Sequence, residues 1–146
     1  MRNGWVLVLL CLGACDGGDC PNQAPTLDWQ LTTPEGFEVR SDRSSGGELT
    51  FSIENAVADP EGDPLFFVWY RQVPDSDPVP QVGDTTMKLD PCETFSLQDA
   101  ARVNITVVVS DQPIDFDPGA VPFPVSGSSA SMTVRAWTVE LMGECP

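Results

Sequence analysis

Five cysteines, 22 acidic side chains and the absence of histidine define what chemistry this 146-residue chain can attempt. Without imidazole there is no Ser-His-Asp or Cys-His nucleophile and no histidine-containing metal site. Carboxylates can act in pairs as general acid and base. Here, however, Asp and Glu stand repeatedly beside Gly and Pro, where they serve equally well as turn formers. No phosphate-cradling glycine loop, dinucleotide glycine fingerprint or Cys-x-x-Cys pair occurs. The expectation is a non-catalytic chain. A carboxylate-dependent hydrolase is the remaining enzymatic alternative, and it requires paired acids in a cleft.

The thiols are Cys11, Cys15, Cys20, Cys92 and Cys145. The first two lie in or just after an uncharged apolar run, Trp5 to Ala14, preceded by the single positive charge of Arg2. A membrane span needs about twenty such residues, whereas a run of roughly seven to fifteen before small side chains fits a cleaved leader. The segment Leu12-Gly13-Ala14-Cys15 resembles the lipobox of bacterial lipoproteins. That resemblance implies a signal peptide over residues 1–14 and a diacylglyceryl group on the thiol of Cys15. The alternative is an ordinary secretory leader cut near Ala14, with Cys15 free. On the first reading, residues 15–23 are a lipidated N-terminus and flexible tether, and residues 24–146 form one domain. The protein is then exported and held on a cell-envelope membrane. In enteric bacteria an Asp directly after the lipidated cysteine, as Asp16 is here, tends to retain a lipoprotein in the inner membrane; many other bacteria do not follow that rule, so the choice between inner and outer membrane stays open.

Loss of the leader leaves six basic against 22 acidic residues, a formal charge of −16, with Lys88 the only lysine. Such a surface repels phosphate, which argues against nucleic acid and anionic headgroups as partners and favours cations and basic surfaces. Acidity that merely keeps an exported domain soluble is the alternative.

Periodicity of two, not 3.6, positions the remaining side chains. Leu27, Trp29 and Leu31 alternate with polar residues, as do Leu49, Phe51 and Ile53, then Leu65, Phe67 and Trp69, then Val103, Ile105, Val107 and Val109. The third and fourth of these form the expected central pair. Met87 and Leu89 offer a weaker edge strand, and Ser96 to Ala101 a short helical turn capped by Ser96. In the last strand Met132, Val134 and Ala136 share one parity while Trp137, Val139 and Leu141 share the other. A bulge or bend near Ala136 is therefore expected to switch faces. Trp69 belongs in the core. Phe66, Val68 and Tyr70 leave the opposite face of their strand apolar; Val121-Pro122-Phe123-Pro124-Val125 is the segment expected to cover it, and a partner site is the alternative. Gly-, Pro-, Ser- and Asp-rich connections between six to eight short strands predict an all-β sandwich.

The segments Asn22-Gln23-Ala24-Pro25, Asp59-Pro60-Glu61-Gly62-Asp63-Pro64-Leu65 followed by Trp69, and Val107-Val108-Val109-Ser110-Asp111 resemble landmarks of bacterial Ig-like domains of the cadherin and polycystic-kidney-disease type. The likeness covers most of residues 22 to 141, apart from an unusually long stretch after Asp111. It implies that residues 24–146 form one Ig-like antiparallel β-sandwich of about seven strands with an adhesive or binding role toward a protein or glycan. A structural subunit of an envelope complex is the alternative. Among Cys20, Cys92 and Cys145 three pairings exist; the Ig-like topology brings Cys92 and Cys145 to one pole and leaves Cys20 free or engaged by a partner. The same topology gathers Asp59, Glu61 and Asp63 with Asp111, Asp115 and Asp117 at the other pole. Six carboxylates together would suit Ca²⁺, with solvated turns as the alternative.

Overall fold

The computed structural model describes residues 22–93, 95–114 and 132–146. Among them nine strands and one short helical turn follow each other: β1 (Thr26–Leu27), β2 (Glu38–Asp42), β3 (Leu49–Ser52), β4 (Val57–Ala58), β5 (Phe66–Gln72), β6 (Val79–Gly83), β7 (Thr86–Leu89), α1 (Phe95–Gln98), β8 (Arg102–Ser110) and β9 (Met132–Met142). The protein is an all-β sandwich. One layer has the order β2-β9-β8-β5-β6, and β3 pairs with β7 in the other. β1 and β4 form a small separate pair, and an isolated bridge joins Thr33 to Ser52 at the end of β3.

Alternation explains the layering. The inward parity of β8 places Val103, Ile105, Val107 and Val109 wholly out of solvent, and Phe51, Ile53, Met87 and Leu89 face them from the other sheet. Between the sheets, Phe51 meets Trp137 edge-on at 5.4 Å, and Trp69 stacks on Trp137 at 6.0 Å. Both geometries suit the quadrupoles of the rings. The Trp69 indole N–H donates to the Asp84 carbonyl at 2.9 Å, so its one polar atom is satisfied. Gly83 sits directly against this ring: a Cβ there would lie 3.1 Å from Trp69 Cδ1.

Several expectations are corrected. The large sheet is antiparallel except at β2–β9, which pair in parallel from Glu38↔Thr138 to Asp42↔Met142. No hairpin can join two strands a hundred residues apart, so direction is set by how the chain crosses from one layer to the edge of the other. Trp29 and Leu31 do not form a strand. They occupy a 3₁₀ turn, about half exposed, in which Asp28 Oδ1 accepts from the Gln30 N–H at 3.0 Å and the Thr32 hydroxyl donates to the Trp29 carbonyl at 2.8 Å. These local bonds compete with a sheet ladder and win. The helical turn begins at Phe95, so Ser96 lies inside it and not at its cap.

No bulge interrupts β9 either. Its register with β8 is continuous from Ser110↔Met132 to Arg102↔Glu140. Odd positions point inward throughout, and the inward residue before Trp137 is Arg135, which is buried while Val134 and Ala136 are exposed.

On the outer face of the five-stranded sheet, Val68, Tyr70 and Val108 are buried, with Ile114 and Met132 packed against them. The segment from Val121 to Val125 lies outside the described residues.

Candidate functional site

Strand direction sorts the loops to two poles. β5 runs from the Asp59–Leu65 loop toward Val73, and β8 runs back from Ala101 to Asp111, as the antiparallel register Phe66↔Ser110 to Gln72↔Asn104 requires. Asp59, Glu61, Asp63 and Asp111 therefore lie at one pole, and Cys92 and Cys145 at the other.

The acidic pole is built around Asp59. Its Oδ1 accepts from the backbone N–H groups of Glu61 and Asp63, both at 2.9 Å. Gly62, at φ 81°, allows the chain to turn back over that carboxylate. This Asp therefore shapes its own loop. The loop is then tied to the residues before β1: Gln23 Nε2 donates to Glu61 Oε1 at 2.9 Å, and Asn22 Nδ2 donates to Asp111 Oδ2 at 2.5 Å. Asp111 is only 7% exposed, and its Oδ1, like Asp59 Oδ2, is buried with no hydrogen-bond partner among the described residues. Glu61 and Asp63 are exposed. The sequence places Asn22 and Gln23 in a flexible tether and among the family landmarks, whereas both are bonded to the acidic pole. Their role at this pole was signalled by amide side chains immediately ahead of the first strand, next to a domain rich in carboxylates.

Four of the six carboxylates expected to converge, Asp59, Glu61, Asp63 and Asp111, lie among the described residues at this pole. Among the described residues no three acidic side chains stand close enough together to hold a metal ion. Glu61 Oε1, Asp111 Oδ2 and Asp59 Oδ1 are already committed to protein donors. Asp115 and Asp117 lie outside the described residues. Among the described residues the pole holds two buried carboxylate oxygens without a hydrogen-bond partner, one on Asp59 and one on Asp111.

At the opposite pole Cys92 and Cys145 form a disulfide with Cα atoms 5.8 Å apart. Arg43 organises the surroundings. Its guanidinium donates to the carbonyls of Leu97, Gln98, Ala100 and Gly143, closing the loop around α1 against the end of β9. Asp42 accepts from the Ser44 hydroxyl and backbone N–H, and these bonds hold its carboxyl below the usual range. Gly143 has φ 71°, and a Cβ there would fall 2.8 Å from Asp42 Oδ1. Cys15 and Cys20 lie outside the described residues.

A groove of 210 Å³ on the outer sheet face is lined by Leu65, Phe66, Val68, Val82, Pro113 and Ile114 among others, none of them ionisable. Comparison with family models, curated proteins and solved structures finds no match to this chain.

Proposed function

We propose that this chain is an exported, lipid-anchored and non-catalytic module of the cell envelope, an Ig-like sandwich that meets a protein or glycan. The observation that carries this reading is the Cys92–Cys145 disulfide, in a chain whose apolar leader ends in Leu12-Gly13-Ala14-Cys15. Disulfides persist in oxidising compartments and are rare in the cytosol. The sandwich itself, with its first long strand parallel to its last, supports the Ig-like description. Acyl chains contribute roughly 0.8 kcal/mol per buried CH₂, so the two or three chains of a lipoprotein hold it almost irreversibly. Mass spectrometry of the mature protein is expected to show an acylated N-terminal Cys15, and Cys15→Ser to release the domain into the soluble fraction. An unmodified N-terminus elsewhere would refute the anchor.

A cation at the acidic pole is a second reading, favoured by the two buried carboxylate oxygens that lack a partner. With a dissociation constant of about 10⁻⁴ M, typical of extracellular modules, about 1 mM calcium would stabilise by roughly 1.4 kcal/mol and raise the melting temperature by about 5 °C. Magnesium would do much less. An identical melting curve in chelator and in millimolar calcium would leave the pole as a hydrogen-bonded turn.

A further inference from the structure

Just ahead of β1 the chain is docked, not loose. Asn22 is bonded to Asp111 and Gln23 to Glu61, so the chain enters the sandwich at the acidic pole. Only seven residue steps separate Asn22 from Cys15, a maximum reach of about 25 Å even fully extended. The sandwich is longer than that. β9 alone has 11 residues, which at about 3.3 Å each span about 35 Å. It starts beside Ser110, next to the acidic pole, and ends three residues before Cys145.

We infer that the anchored protein stands on its membrane with the Asp59–Asp63 loop and Asp111 toward the bilayer, and carries the Cys92–Cys145 pole outward. The inference rests on lipidation of Cys15. To bring the disulfide pole onto the lipid, Asn22 would have to lie about 35 Å from the surface, which a tether of about 25 Å does not allow. The acidic pole therefore faces the lipid surface without docking on it. Negative charge there opposes close approach to anionic headgroups, so the domain stands off from the bilayer within its tether.

The test uses the full lipidated chain in phosphatidylcholine vesicles with a trace of headgroup-labelled acceptor lipid. A donor fluorophore is attached through a genetically encoded azido side chain at position 63 or position 77, leaving the cysteines untouched. Vesicle flotation reports anchoring, and energy transfer reports distance. The expected result is flotation of both labelled proteins, with transfer from position 63 several-fold stronger than from position 77. Inserting about twenty Gly and Ser residues after Asp16 lengthens the tether well beyond the sandwich and is expected to shrink that difference. Failure to float would overturn the lipid anchor and the orientation with it. Flotation with equal or stronger transfer from position 77 would overturn the orientation alone, and a difference unmoved by the insertion would overturn tether length as its cause.

Discussion

The single tyrosine of the chain, Tyr70, is buried on the outer face of β5, and its hydroxyl has no hydrogen-bond partner among the described residues. Removing an unsatisfied buried polar atom while keeping the ring relieves its desolvation, so Tyr70→Phe is expected to stabilise the fold by about 1 kcal/mol in a denaturant titration. Burial also pushes the Tyr70 hydroxyl up to about 12. In the unfolded chain the same group ionises near 10. Below that pH both states are neutral and the full stability is present. Between about 10 and about 12 only the unfolded state ionises, so stability falls as pH rises through this window. Because no other tyrosine contributes, the ultraviolet absorbance of tyrosinate reads this one group. Titration of the folded protein near 10 would contradict the burial, and a Phe variant with the same alkaline loss would assign it to other groups.

At the level of the element, β9 shows how one inward polar residue is accommodated. Arg135 takes an inward position in an otherwise apolar series, with its guanidinium 4.0 Å from the Phe37 ring centroid and 5.1 Å from that of Trp137. Its Nη2 donates to the Glu35 carbonyl at 2.5 Å, and burial lowers its pKa. Stacking on two rings and one carbonyl bond hold a group that would otherwise be costly to bury. Arg135→Ala removes the stem, the stacking and the bond together, and is expected to cost about 2–4 kcal/mol. Arg135→Met keeps much of the apolar volume and leaves no charge to satisfy, so it is expected to cost clearly less. Equal denaturation midpoints for the two variants would show that the volume of the side chain is unimportant there.

For the whole molecule, the disulfide is the one covalent link between the middle of the chain and its end, joining residues 53 apart. Closing a loop of that length removes unfolded-state freedom equivalent to about 4 kcal/mol in the chain-entropy model. Cys92→Ser with Cys145→Ser is expected to lower the melting temperature by about 10–15 °C, since about 1 kcal/mol moves a domain of this size by roughly 3–4 °C. A shift of only a degree or two would mean that the Arg43 bonds to the α1 loop and Gly143 already hold this pole closed without the disulfide.

The alternating apolar residues were enough to locate β3, β5, β7, β8 and β9, and to place Trp69 in the core, because side-chain parity in a strand is a local property of the backbone. Leu12 to Cys15 carried the expectation of a lipid anchor without reference to the fold. The pairing of Cys92 with Cys145 followed only once an Ig-like topology was assumed. Nothing local foretold that β9 would run straight through Arg135. That residue points inward because Glu35 and Phe37, a hundred residues earlier, arrive beside it when β2 pairs in parallel with β9. Trp29 and Leu31 kept the period of a strand yet formed a turn, since Asp28 and Thr32 met their backbone groups first. The acidic pole was legible as a gathering of loops but not as a set of bonds. Which carboxylate oxygens take amides and which stay bare depends on contacts such as Asn22 with Asp111, 89 residues apart. Such contacts are three-dimensional, and short-range pattern does not encode them.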